Sequence, residues 1–167
     1  DRLLHSPERG EEYNALQGFL VNELVPFFET LTTWCRKRLT ESNISFDVDI
    51  EREERALSPS DFGFHNALRD KRGRMFFIDF EYFGWDDPAK MISDFLLHPA
   101  MTLSENLKQQ FVTCMVRSFK EYKQLKRRVE IVYPLFGLKW CLIFLNEFVH
   151  DDLLRRGFAR GGSLDKR

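Results

Sequence analysis

Asp61 and Asn66 lie five residues apart in the segment Ser58-Pro59-Ser60-Asp61-Phe62-Gly63-Phe64-His65-Asn66, and Asp79 follows directly after the apolar run Met75-Phe76-Phe77-Ile78. These three types in this order suit phosphoryl transfer. That reaction needs a base to take the proton of an acceptor hydroxyl, and hard oxygen ligands for a divalent cation that neutralises phosphate charge. Asp61 is the candidate for the first task, and Asn66 and Asp79 for the second. The triplet Asp61-Phe62-Gly63 invites the opposite assignment, with Asp61 on the metal. That assignment fails on context, because the metal-binding acid should follow an apolar strand, which Asp79 does and Asp61 does not.

Such residues need a scaffold that brings distant positions together. Asn66–Arg69 and Met75–Asp79 flank the turn-like Asp70-Lys71-Arg72-Gly73, so a β-hairpin is expected here. Its antiparallel strands carry Asn66, at the start of one, to Asp79, at the end of the other. The second strand is almost wholly apolar and is expected to be covered on both faces. Around the hairpin the pattern is helical. Apolar residues at 13, 16, 20 and 24 and then from 27 to 39 predict one bent helix or two, interrupted at Pro26. Arg55–Leu57 reads as a short strand. Pro88–Leu97 reads as a helix, with Asp86 or Asp87 as its cap. Ser104 begins another helix, with Leu107, Phe111, Met115, Phe119 and Tyr122 on one stripe. Tyr133–Asp151 reads as an apolar core helix with Pro134 in its first turn.

The 167 residues, 43% hydrophobic and 31% charged, fit one soluble domain with a sizeable core, and 17 phenylalanines predict an aromatic one. The fold class expected is mainly α with a small β-hairpin, that is α+β, as a single domain over 1–167. Within it, 1–54 hold the leading helices and an acidic linker, 55–99 the catalytic loop, hairpin and metal loop, and 100–167 the C-terminal helices. A net charge of −1 argues against nucleic acid and membrane surfaces as partners. Three widely spaced cysteines suggest neither a disulfide framework nor a zinc site, and all three are expected to be buried thiols. No leader segment is evident at the start, and the apolar stretch 131–149 is broken by Lys139, Asn146 and Glu147, so a cytoplasmic location is expected.

The stretch from Leu57 to Pro99 resembles the aminoglycoside phosphotransferase and choline kinase-like family, whose fold is protein-kinase-like. The resemblance rests on Asp61-x-x-x-x-Asn66, on Ile78-Asp79-Phe80 followed by the aromatic loop to Trp85-Asp86-Asp87-Pro88, and on Ser93-Asp94-Phe95 in the next helix. More loosely, Leu138–Phe148 looks like a late core helix of bacterial members. Pro59 stands where the family usually has histidine, and Ser60 where it usually has glycine. The resemblance implies the C-terminal helical lobe of an ATP-dependent phosphotransferase acting on a hydroxyl of a sugar, amino alcohol or aminoglycoside-like molecule. Asp61 would be the base, and Asn66 and Asp79 would bind Mg2+. Ser60 and His65 are candidate nucleotide contacts for ATP, with GTP not excluded. Glu81, Trp85, Glu147 and Asp151 are candidate acceptor contacts, and Asp94 is expected to tie the catalytic loop to its helix.

No glycine-rich phosphate loop and no strand lysine with a helix glutamate can be identified. A separate N-terminal nucleotide-binding lobe of the same protein is therefore the expected partner, and this chain alone is expected to be inactive. Two other readings remain open. One is a non-catalytic module that keeps the fold for nucleotide binding or interaction. The other is a metal-dependent phosphohydrolase, which lacks an evident further metal ligand.

Overall fold

The architecture comes from a computed structural model that describes residues 10–148. The chain divides into two compact units, one of residues 10–31 with 138–148 among those described, the other of 32–137. The fold is mainly helical with two small antiparallel sheets, an α+β class. No helix among the described residues is long and apolar enough to cross a membrane.

Helix α1 (Glu11–Phe19) leads into a π-helical turn at Leu20–Leu24 and then into α2 (Val25–Glu41). Pro26 has no N–H to donate and its ring crowds the preceding turn. The chain absorbs this by widening the turn before it, where the amide of Val25 reaches back to the carbonyl of Leu20. The first unit gathers Tyr13, Leu16 and Leu20 into a buried cluster against Leu24 and Leu145.

In the second unit, β1 (Ala56–Ser58) pairs with β4 (Gly84–Asp86), and β2 (Ala67–Arg69) pairs with β3 (Met75–Phe77), both antiparallel. The second pair is the expected hairpin; the first pair was not foreseen, because β4 is three residues long inside what reads as a loop. Helix α3 (Pro88–Leu97) follows, with Asp87 accepting from the amide of Ala89 and Pro88 in the first turn. Met91–Leu96 are all buried, and Ile92 is fully enclosed. Helix α4 (Glu105–Ser118) starts at Ser104, as expected. It ends before Phe119, so Tyr122 leaves the stripe and packs separately in the core.

Helix α5 (Leu125–Leu145) begins eight residues before the expected start. Pro134 is thus interior to it. The carbonyl of Glu130 loses its amide partner there, but Glu130 is exposed and water can serve it. Leu125, Val129 and Ile131 of α5 are buried in the same unit as Cys35 and Leu39 of α2, and the Cys35 thiol donates to the carbonyl of Ile131 at 3.2 Å. Cys114 and Cys141 are exposed, contrary to expectation; α4 has no fully buried residue, so its cysteine has no core to enter.

The hairpin also departs from expectation. Met75, Phe76 and Phe77 of β3 are 45%, 48% and 38% exposed, and Leu68 of β2 is 58% exposed. An apolar strand is usually covered, but here a two-stranded ribbon has no layer over it among the described residues. Phe77 meets Phe62 at 4.9 Å between ring centroids, which ties the ribbon to the loop after β1.

Candidate functional site

The loop after β1 is held from several sides. Buried Ser58 accepts the amide of Ser60 on its hydroxyl at 3.0 Å, and the amide of Asp61 donates to the carbonyl of Pro59 at 2.8 Å. Ser60 therefore sits at φ 66°, in the left-handed region. Phe62 stacks on Phe95 of α3 at 5.3 Å, and Phe95 stacks on Phe111 of α4 at 4.0 Å. These rings seat the loop on the helices and leave the Asp61 side chain half exposed.

Asn66 closes the loop. Its amide nitrogen donates to the main-chain carbonyl of Asp61 at 3.0 Å and to its carboxylate Oδ2 at 3.3 Å. The main-chain carbonyl of Asn66 accepts from Ile78 at 2.9 Å, which extends the β2–β3 ladder by one step. Asp79 follows immediately, at φ 63°. The hairpin thus delivers Asn66 and Asp79 to one end, as the antiparallel pairing requires. With its nitrogen committed to Asp61, Asn66 keeps its side-chain oxygen for another partner. Asp79 is exposed and makes no hydrogen bond or ion pair among the described residues. A neutral oxygen and an unpaired carboxylate at one hairpin end fit a hard divalent cation. A non-glycine residue held left-handed at such a position stores strain of the kind found at functional sites.

Two histidines face Asp61. His65 Nε2 lies 3.0 Å from Oδ1, and His98, at the C-cap of α3, has its Nε2 3.9 Å from the same oxygen. The two imidazoles stack at 3.8 Å with 5° between their planes. Burial first, and then the neighbouring His65, push the His98 pKa below its ordinary value, against the opposing pull of Asp61 and Asp94. Asp61, His65 and His98 also place three potential ligand atoms within 4.8 Å of one another.

Behind the loop, Lys90 spans Asp86 at 2.5 Å, Asp94 at 3.4 Å and the hydroxyl of Ser60 at 3.4 Å. Burial works against its charge, but Asp86 and Asp94 together outweigh burial and raise its pKa above the usual lysine value. Asp94, itself 7% exposed, is tied to the loop through Lys90, which is the structural part expected of it.

Asp61, Asn66, His65, Ser60 and Asp79 thus belong to one loop-and-hairpin assembly. The candidate acceptor contacts are less united. Glu81 is exposed in the turn after Phe80. Trp85, 58% exposed, lines a cleft of about 310 Å³ with Asp47, Asp49, Arg55, Asp87 and Arg128. None of Asp61, Asn66 and Asp79 lines that cleft. The side chain of Glu147 and the whole of Asp151 lie outside the described residues. His98 and Lys90 were missed in the sequence. The Asp86-Lys90-Asp94 spacing of four residues was a usable signal for the lysine, whereas nothing near His98 announces its role. Set against protein-family models, curated proteins and solved structures, the chain matches none of them.

Proposed function

We propose that this chain is the helical lobe of a phosphotransferase that moves the γ-phosphate of ATP to a hydroxyl of a small molecule such as a sugar, an amino alcohol or an aminoglycoside-like compound. The observation that carries the reading is the joint geometry of Asp61 and Asn66 beside the hairpin end that bears Asp79. Asp61 accepts the proton of the acceptor hydroxyl as it attacks. Asn66 holds the Asp61 loop with its nitrogen and offers its oxygen to Mg2+, with Asp79 as the charged ligand. Mg2+, when bound, supplies positive charge against the phosphate oxygens. The left-handed backbone at Asp79 turns the chain sharply after the strand and favours this placement of the carboxylate.

The uncovered apolar faces of β2 and β3 support a partner surface. In this reading the partner is the N-terminal nucleotide-binding lobe of the same protein. The same faces also suit a non-catalytic module that keeps the fold for binding. The two readings separate on turnover: ATP consumption by the full-length protein is measured against a panel of sugars, amino alcohols and aminoglycosides. Turnover on one acceptor that disappears in Asp61→Asn supports the phosphotransferase. Magnesium-dependent ATP binding that survives Asp61→Asn, with no turnover on any acceptor, favours the module.

A further inference from the structure

The two imidazoles beside Asp61 have defined protonation patterns. His98 accepts the amide of Ala100 on Nδ1 at 3.1 Å, so in its neutral form the ring proton sits on Nε2, the atom that faces Asp61. His65 has its Nδ1 buried and without a hydrogen-bond partner among the described residues. A proton on that atom would be an orphaned buried donor, and it would leave two lone pairs facing each other across 3.0 Å at Nε2 and Oδ1. The proton therefore belongs on Nε2 of His65 as well, where it is donated to Asp61.

The His65 ring is confined on both sides. A Cβ at residue 63 would lie 2.5 Å from Cε1 and 2.6 Å from Nδ1 of His65, so only glycine leaves room for the imidazole. His98 covers the ring in parallel stacking and is itself fixed to the end of α3 by the bond from its amide to the carbonyl of Asp94 at 2.9 Å.

We infer that His65, braced by the stacked ring of His98, clamps the Asp61 carboxylate, with Oδ1 held by the His65 N–H and the remaining lone pair of Oδ2 turned to the acceptor hydroxyl. Neither histidine touches the reacting atoms; both are positioning residues. The inference rests on the reading of Asp61 as the proton acceptor. Asn66 supplies the third constraint, since its nitrogen takes one lone pair of Oδ2 and leaves the other. The geometry disfavours the alternative use of the same three residues as metal ligands. Parallel rings 3.8 Å apart direct their lone pairs side by side rather than toward a shared point, and ligation through Nε2 would force the proton of His65 onto its unpartnered Nδ1.

The clamp is tested first on this chain, by long-range proton–nitrogen NMR of the imidazoles at pH 8. Both His65 and His98 are expected as the Nε2–H tautomer, and Asp61→Ala is expected to shift the Nε2 resonance of His65. A His65 found in the Nδ1–H form, or insensitive to Asp61→Ala, overturns the clamp. So does stoichiometric zinc binding that moves both rings together. The second arm is steady-state kinetics of the full-length protein. His65→Leu is expected to lower kcat by about 10- to 100-fold, as a displaced base does, with KM for nucleotide and acceptor within about twofold. His65→Gln, which keeps an N–H donor, recovers most of that loss. His98→Phe keeps the stack and stays near wild type, whereas His98→Ala falls with His65→Leu. Wild-type turnover that is indifferent to His65→Leu defeats the clamp and leaves the phosphotransferase standing. A wild type with no turnover counts against the phosphotransferase, and the ring tautomers still decide whether Asp61 is clamped.

Discussion

Asp87 serves two helices at once: its Oδ1 caps the first turn of α3 through the amide of Ala89 at 2.8 Å, and its Oδ2 takes the guanidinium of Arg128 on α5 at 2.7 Å. Both side chains are largely buried, at 20% and 14% exposure; Arg128 binds Asp87 through Nε, and its terminal Nη1 has no hydrogen-bond partner among the described residues. Asp87→Ala removes the cap and strands a buried cation, so we expect a loss of about 2–4 kcal/mol of folding free energy. Asp87→Asn keeps the cap and should lose less. Urea denaturation of the two variants against wild type measures the difference; equal losses would mean that only the charge matters.

The left-handed backbone of Asp79 separates two effects that one substitution usually mixes. Asparagine enters this left-handed region as readily as aspartate, whereas alanine meets its steric cost in full. Asp79→Asn should therefore fold with unchanged stability, and Asp79→Ala should lose about 1 kcal/mol despite its exposure. On the proposed phosphotransferase reading, both should lose turnover. Thermal or urea melts checked beside the activity assay decide this, and a stable but inactive Asp79→Asn is the informative result.

Burial pushes the Cys35 thiol up to about 11, while Cys114 and Cys141 lie exposed. At pH 8 only about one Cys35 in a thousand is thiolate by that value. Titration of the native chain with a thiol reagent should count two fast sulfhydryls, and the third should appear only on denaturation. Three fast thiols would show that the packing of α2 against α5 around Cys35 opens readily.

Stability should fall steeply in alkali. Lys90 has a raised pKa because Asp86 and Asp94 outweigh its burial, so its contribution is present below the unfolded value of 10.5 and lost as pH climbs past it. Burial raises Tyr122 to about 12 from the ordinary 10.0. Above pH 10 the unfolded chain releases that proton while the folded chain retains it, and folding is again disfavoured. Melting temperatures from pH 9 to 12 should decline, and Tyr122→Phe should flatten the slope. An unchanged slope would remove Tyr122 as a source.

The parts of the site that could be read from the sequence are those made by near neighbours. Asp61 and Asn66 are five residues apart and bond directly, and the hairpin turn at Asp70–Gly73 fixes its own register, so spacing alone locates Asn66 and Asp79. His98 comes to Asp61 from 37 positions away through the path of α3, and no local pattern encodes that meeting. The β1–β4 pair was hidden for a similar reason: Gly84–Asp86 becomes a strand only because Ala56–Ser58 lies beside it. Pro134 misled the placement of α5, since a proline suits a first turn better than an interior one. The apolar run of β3 misled in another way. Hydrophobicity reports that a surface is fit to be covered, not that this chain covers it.

Among the described residues each strand of the β2–β3 ribbon has only one hydrogen-bonded neighbour, so each has an outer edge whose backbone groups are available to another strand. An open edge beside exposed Leu68, Phe76 and Phe77 is a template for strand addition. Such a ribbon is a colloidal liability. Its association should rise with concentration, and lysines introduced on the ribbon's outer edges should suppress it while leaving the helices intact.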